Sequence, residues 1–186
     1  MNIRCIYRLL ILTVTLLALA PRDASAQMMA LRTDMTKDLL MTPSFGLDFV
    51  VGEKQTLGVE IIYNNHPWKQ QMQLTSVMPE FRYWFNGRPF TRQYIGAVAS
   101  LSTYSLAWSK NVYDGDALGI GLSFGHVWTL SKRWNIDFSA SVGVLGYRQK
   151  YYYTNDYFQD YGERTNALGY LLMPIKLGIS AVYVFR

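Results

Sequence analysis

The sequence predicts an all-β fold, an eight-stranded antiparallel up-and-down transmembrane β-barrel. Three observations predict it: an export signal at the start, period-two alternation along the rest of the chain, and connections that alternate between short turns and long loops. Only 17% of the 186 residues are charged, while 50% are hydrophobic and 15% aromatic. Soluble domains carry about a quarter charged residues. This composition excludes a disordered chain and favours a protein with little surface in water.

The first segment has the features of a cleaved signal peptide. Arg4 and Arg8 give a positive start, residues 9–20 are apolar, and residues 24–26 (Ala-Ser-Ala) suit a signal peptidase. We therefore expect cleavage before Gln27, although an uncleaved membrane anchor is the alternative. The domain organisation is then a signal peptide at 1–26 and one barrel domain at 27–186.

The remaining charge and cysteine content restrict the classes of function. The formal charge of +5 is spread along the chain without a Lys/Arg block, which argues against a nucleic-acid partner. The single cysteine, Cys5, leaves with the signal peptide. No later stretch reaches 18 apolar residues in a row, so no transmembrane helix is predicted.

Alternation between apolar and small or polar residues predicts the strands. It is strongest at 118–124, 134–144 and 175–185. Weaker segments lie at 28–34, 43–52, 55–65, 72–85 and 92–107. Tight turns are expected at 52–54, 86–89 and 131–133, and longer loops near 35–42, 64–71, 108–116 and 152–167. Short turns at one end and long loops at the other are typical of outer-membrane barrels, whose closure leaves no strand edge facing lipid.

Charged residues follow the face opposite the aliphatic side chains. A Lys or Arg facing mid-bilayer lipid costs roughly 2–4 kcal/mol, so these residues are predicted to line the lumen. This lumenal charge cluster comprises Arg32, Asp48, Glu60, Glu80, Arg82, Asp137 and Lys176. Within it, Glu80 and Arg82 are interpreted as part of an ion-paired plug; a gate or proton path is the alternative.

The rival fold is a soluble barrel with the apolar face inward, as in a lipocalin. The polar face of the last three strands is mostly Gly and Ser, which suits a narrow interior better than a solvated surface. Aromatic residues also gather at strand ends, as expected for two interfacial girdles. They are Trp84, Phe85, Trp128, Trp134, Tyr183 and Phe185 at one level and Tyr147, Tyr151 and Tyr153 at the other. Pro79 and Pro174 fall inside predicted strands, where proline requires an edge or a bulge.

No catalytic, metal or cofactor site is predicted. The two histidines, His66 and His126, and the absence of a cysteine after cleavage argue against structural zinc. His126 follows the lipid-facing parity of its strand, and His66 has no serine or aspartate at a spacing that indicates a nucleophile. No phosphate-binding glycine motif occurs. We therefore expect that the protein is not an enzyme and has no cofactor.

The long loop at 151–166 is the candidate recognition surface. Tyrosine offers a large contact area at a small entropy cost. The residues concerned are Tyr152, Tyr153, Tyr157, Phe158 and Tyr161. The equally open alternative is that Tyr152 and Tyr153 belong to the outer girdle with Tyr151, and that the other rings pack the loop onto the barrel rim.

The last strand resembles the assembly signal of outer-membrane barrels. Its elements are Lys176, Gly178, Ala181, Tyr183 and Phe185, although Arg186 follows the final aromatic residue. The resemblance implies recognition by the barrel-assembly machinery, with periplasmic chaperones as partners during biogenesis.

Over nearly the whole mature chain the sequence resembles an uncharacterised outer-membrane barrel family, classed as a domain of unknown function and numbered 3575. The resembling segments are LRTD (31–34), TPSFGLD (42–48), PEFRYWF (79–85), LSKRWN (130–135) and KLGIS (176–180). The family transfers no catalytic residue. Its members often occur near fimbrial genes, which implies an envelope or fimbrial protein partner.

These patterns lead to one functional expectation and two alternatives. The protein is expected in the outer membrane of a Gram-negative bacterium, in contact with outer-membrane lipid, with a structural or surface-interaction role carried by its long extracellular loops. The alternatives are a narrow channel for small solutes and an outer-leaflet lipid or peptide hydrolase that uses His66.

Overall fold

The computed structural model describes residues 28–65, 72–108, 111–153 and 167–185. The expected signal peptide and its cleavage site before Gln27 lie outside these residues. So do His66 and three members of the candidate recognition loop, Tyr157, Phe158 and Tyr161. Tyr152 and Tyr153 are the last two residues of a strand.

The chain forms a closed barrel in which every strand pairs antiparallel with the next and the last pairs with the first. The elements are β1 (Met29–Asp34), α1 (Met35–Leu39), β2 (Ser44–Gly52), β3 (Gln55–Asn65), β4 (Met72–Trp84), β5 (Arg92–Trp108), β6 (Asn111–Thr129), β7 (Trp134–Tyr153) and β8 (Ala167–Phe185). The predicted eight-stranded up-and-down barrel is therefore confirmed.

Strand lengths differ from the prediction at the long-loop end. The segment 108–116, predicted as a loop, mostly belongs to β6, and β8 begins at Ala167, well before Pro174. Asp114 and Asp116 continue the alternation of β6. Because both residues are charged, the sequence pattern there did not predict a strand. The predicted loop at 35–42 contains α1. Within the described residues, no helix is long and apolar enough to cross a membrane.

The two prolines act differently on strand register. Pro79 lies in register opposite Val59, and the inward and outward alternation of β4 continues through it. At Pro174 the register of β8 shifts against β7. That shift turns Ile175 into the lumen beside Met78, whereas unbroken alternation placed Ile175 on the lipid face.

Apolar side chains fill the lumen in two layers. One layer consists of Ala30, Trp84, Phe90, Tyr94, Val127, Val182 and Val184, and the other of Ile62, Met78 and Val98 with Ile175 packed against them. The girdle assignment of Trp84 is wrong: its indole is fully buried and donates to Thr56 Oγ1 at 3.1 Å. Tyr147 also lies on the inner face, because it pairs with buried Ala117.

The outward face carries aromatic rings near the short-turn end. The rings of Trp134 and Tyr183 lie 5.1 Å apart, and those of Tyr183 and Phe185 lie 4.9 Å apart. Trp128 contacts Phe138 with a ring separation of 5.1 Å. Two of these contacts join neighbouring strands and the Tyr183–Phe185 contact lies within β8, so this end of the barrel has a band of amphipathic and apolar rings.

Candidate functional site: the charged lumen

The structure brings all seven residues of the lumenal charge cluster together between the two apolar layers. Each is at most 3% exposed. They reach this place from β1, β2, β3, β4, β7 and β8 because the period of two turns every second side chain inward. The cluster is therefore built by six of the eight strands.

Arg32 is the centre of the cluster. Its Nη2 lies 3.4 Å from Glu60 Oε2 and 3.7 Å from Asp48 Oδ1. Its Nη1 lies 3.5 Å from Glu80 Oε2 and 3.9 Å from Asp137 Oδ2. These separations are longer than a good hydrogen bond, so the single guanidinium attracts four carboxylates mainly through Coulomb attraction in a medium of low dielectric constant.

A second group forms around Arg82. Its Nη2 donates to Glu80 Oε2 at 2.7 Å, and its Nη1 donates to Asp137 Oδ2 at 3.3 Å. The Tyr94 hydroxyl donates to Asp137 at 3.1 Å, and the Arg82 guanidinium carbon lies 4.6 Å from the centre of the Tyr94 ring. Tyr94 thus adds both a hydrogen bond and a cation–π contact.

The third group links the cluster to α1. Lys176 Nζ donates to Glu60 Oε2 at 2.7 Å, and Lys37 of α1 pairs with the other oxygen of Glu60. Lys37 Nζ also lies 3.1 Å from Asp34 Oδ2. Lys37 therefore anchors the helix to the inside of the barrel.

Sequence reasoning missed Tyr94, Lys37 and Asp34 as members of this network. The alternation of β5 places Tyr94 on the same inward face as Gly96 and Val98. The sequence pattern could therefore have identified Tyr94. Asp34 lies on the same inward face of β1 as Arg32. Lys37 had no such signal, because its position depends on a helix in a segment predicted as a loop.

Glycines make room for the charged side chains. A Cβ at position 58 would lie 1.9 Å from Asp48 Oδ1, and one at position 178 would lie 2.2 Å from Asp34 Oδ2. Both distances are far below van der Waals contact. Gly58 and Gly178 thus leave the space that the facing carboxylates occupy, and the small residues of the inner face serve the packing of the lumen.

The arrangement suits a rigid plug better than a reactive centre. Nearly every charge has an opposite charge within 4 Å, and the apolar layers cover the cluster on both sides. His126 lies far from this chemistry, on the outer face against Trp128, with ring centres 6.2 Å apart. In the part of the chain that the structure describes, no group of three or more His, Cys, Asp or Glu side chains could hold a metal ion.

The residues of the predicted assembly signal alternate along β8. Lys176 is buried in the lumen and Gly178 faces Asp34. Ala181 and Tyr183 are half-buried and Phe185 is 45% exposed on the outer face. Their role in assembly stays a prediction.

Comparison with known proteins identifies the family. The crystal structure of Neisserial surface protein A is similar at 13% sequence identity and a TM-score of 0.38, over 85% of this chain and 90% of that one. No curated protein matches the chain. The family described as "Protein of unknown function (DUF3575)" matches residues 10–185, in agreement with the resemblance of the sequence segments. Because this match spans nearly the whole chain, the chain belongs to that family.

Proposed function

We propose that the protein is a small integral outer-membrane barrel with a closed, ion-paired lumen, whose role is structural or is surface interaction through its extracellular loops. The observation that carries the proposal is the reversed polarity of the barrel. Ile120, Leu122 and Leu118 on the outer face are 67%, 61% and 57% exposed, while Arg32 and Asp137 are buried. A soluble barrel has the opposite distribution, and so large an apolar surface in water would cause association.

The height of the apolar surface fits a bilayer. On β6 the outward residues are apolar or aromatic from Leu118 to Trp128, with His126 beside Trp128, and they become charged at Asp116 and Asp114. At about 3.3 Å per residue and a tilt of about 40°, the ten steps from Leu118 to Trp128 rise roughly 25 Å. That height matches the apolar band of outer-membrane barrels, which is about 25 Å.

The layers in the lumen argue against conduction. A solute would have to pass the apolar layer around Met78, then the cluster around Arg32, then the layer around Trp84. Moving it through would require separating buried ion pairs, which costs several kcal/mol per ion. A packed interior is also usual for eight strands.

The strand ends opposite the short turns provide a surface for partners beyond the membrane. With the short turns in the periplasm, β5, β6 and β7 extend past the apolar band. There Asp116 pairs with Arg148 at 3.8 Å on the outer face, with both side chains about 60% exposed, while Tyr104 donates to Gln149 at 2.7 Å on the inner face. This polar wall supports an extracellular contact role with an envelope or fimbrial protein.

Fractionation and electrophoresis test the proposal. The full chain, expressed in a Gram-negative host, should remain in the outer membrane after an alkaline carbonate wash and migrate differently on gels before and after boiling. Purified protein in planar bilayers should show no discrete openings. Recovery in the soluble periplasm would refute the membrane assignment, and reproducible conductance would refute the closed lumen.

A further inference from the structure

The barrel wall is much lower on one side than on the other. β1 has six residues, and its last residue, Asp34, pairs with Ser180 of β8. Above that pair, residues 167–179 of β8 continue without a strand partner on the β1 side among the described residues. At a similar tilt, the five steps from Met29 to Asp34 rise roughly 13 Å, about 12 Å less than the apolar band.

The short helix α1 lies at the top of this low wall. Thr36 Oγ1 accepts from the Ile179 backbone N–H at 3.1 Å, which ties α1 to the β8 edge. Asp34 caps the helix by accepting from Thr36 N at 3.1 Å. Lys37 enters the barrel and is 16% exposed. The helix is thus fixed to the wall by polar contacts at the height where β1 ends.

The outward side of α1 and its C-terminal turn is apolar but carries one carboxylate. Leu39 is 79% exposed, Leu40 60% and Met41 54%. Asp38 is also exposed, and it accepts from Thr33 Oγ1 at 2.7 Å and from Ser44 N at 3.2 Å. A soluble surface helix buries its leucines and exposes its lysines, so the polarity here is reversed.

The exposed leucines and the exposed carboxylate together place α1 at the boundary between headgroups and acyl chains. The leucines need an apolar partner, and the helix that carries them is tied to β8 at Ile179, which is itself 39% exposed on the outer face. A carboxylate such as that of Asp38 is costly in hydrocarbon, even with hydrogen bonds. A segment with apolar side chains beside an exposed charge fits the level where headgroups meet acyl chains.

From this we infer that α1 is a lipid-contact element: its leucines insert among the acyl chains of the outer leaflet, and the headgroup boundary descends to Asp38, so the hydrocarbon layer is thinner beside β1 than beside β6. Local thinning is a recognised response to a short apolar height. The inference rests on the proposed membrane insertion. It goes further because it assigns a lipid surface to a segment outside the strands.

Site-directed spin labelling tests the inference on the refolded full barrel in phosphatidylcholine–phosphatidylglycerol vesicles. A Cys5→Ser background removes the single cysteine, and labels are attached singly at L39C, L40C and D38C. I120C serves as the lipid-facing control, and E53C on the β2–β3 turn serves as the water-facing control. Heat-dependent migration verifies that each variant is folded. The measured quantity is the ratio of oxygen accessibility to nickel-chelate accessibility.

The expected ratios at L39C and L40C are several times that at E53C but below that at I120C, while D38C stays close to E53C. Ratios at L39C and L40C equal to E53C, with I120C high, would overturn the inference and leave the membrane assignment intact. Ratios at L39C and D38C as high as I120C would place α1 in full hydrocarbon and overturn the thinning. A rise at E53C to lipid values would indicate a tilted barrel and would also overturn it. A water-like ratio at I120C would instead refute the proposed function.

Discussion

Replacing Arg32 by methionine tests the energetic role of the lumenal charge cluster. Arg32 lies 3.4–3.9 Å from the oxygens of four carboxylates. Three of them keep closer partners in the variant: Glu60 keeps Lys176 at 2.7 Å, Glu80 keeps Arg82 at 2.7 Å, and Asp137 keeps Arg82 at 3.3 Å. Asp48 keeps only the Arg82 contact at 3.9 Å within the described network.

The loss in R32M should therefore arise mainly at Asp48. Removing one partner of a buried pair costs about 3–5 kcal/mol because the remaining charge is stranded. The double variant R32M/D48N removes that charge and should recover more than half of the loss. The matched control is R148M, whose partner Asp116 lies 3.8 Å away with both side chains about 60% exposed. An exposed pair of this kind contributes about 0–1 kcal/mol.

Urea unfolding in detergent micelles, followed by tryptophan fluorescence with heat-dependent migration as a check on folding, measures these differences. An R32M barrel within about 1 kcal/mol of the parent would contradict the cost of a stranded buried charge. A double variant no more stable than R32M would show that the loss arises elsewhere.

Three further substitutions test other parts of the structure by urea unfolding, the first two in detergent micelles and the third in lipid vesicles. E80A should cost about 1–3 kcal/mol because buried Arg82 loses its closest partner but keeps Asp137 at 3.3 Å, and an unchanged midpoint would contradict this. G143A should cost about 1–3 kcal/mol by overpacking, since its Cβ would lie 2.1 Å from the Ile120 carbonyl oxygen, whereas the G146A control, whose nearest atom is 3.8 Å away, should be neutral. I120R should cost about 2–4 kcal/mol in lipid vesicles, and a cost near zero would place position 120 outside the bilayer.

Much of the fold could be predicted because a barrel is specified by a simple period. Alternation alone identifies which side chains share a face, and the cost of charge in lipid then selects the inside. The seven charges of the cluster met in the lumen for this reason, although they are far apart in sequence. Antiparallel order followed from the alternation of short and long connections.

The residues whose positions the sequence did not predict have local physical reasons for lying where they do. Ile175 changed face because the register shift at Pro174 adds a residue on β8, and period counting cannot detect such a shift. Trp84 was assigned to a girdle from residue type, whereas its parity in β4 and the Thr56 hydroxyl place it in the lumen. The position of Lys37 depends on α1, and five residues carry too little periodicity to indicate a helix.

The central claim is that apolar side chains face acyl chains while ionised ones are enclosed, and photolabelling from within the bilayer tests it most directly. The barrel would be reconstituted with a phospholipid that carries a diazirine in the middle of its acyl chain, irradiated, digested and sequenced by mass spectrometry. We predict label on Leu118, Ile120 and Leu122 of β6, and none on the inward-facing Ser123 or on Glu80. Label on Glu80 with unlabelled Ile120 would contradict the orientation of every strand.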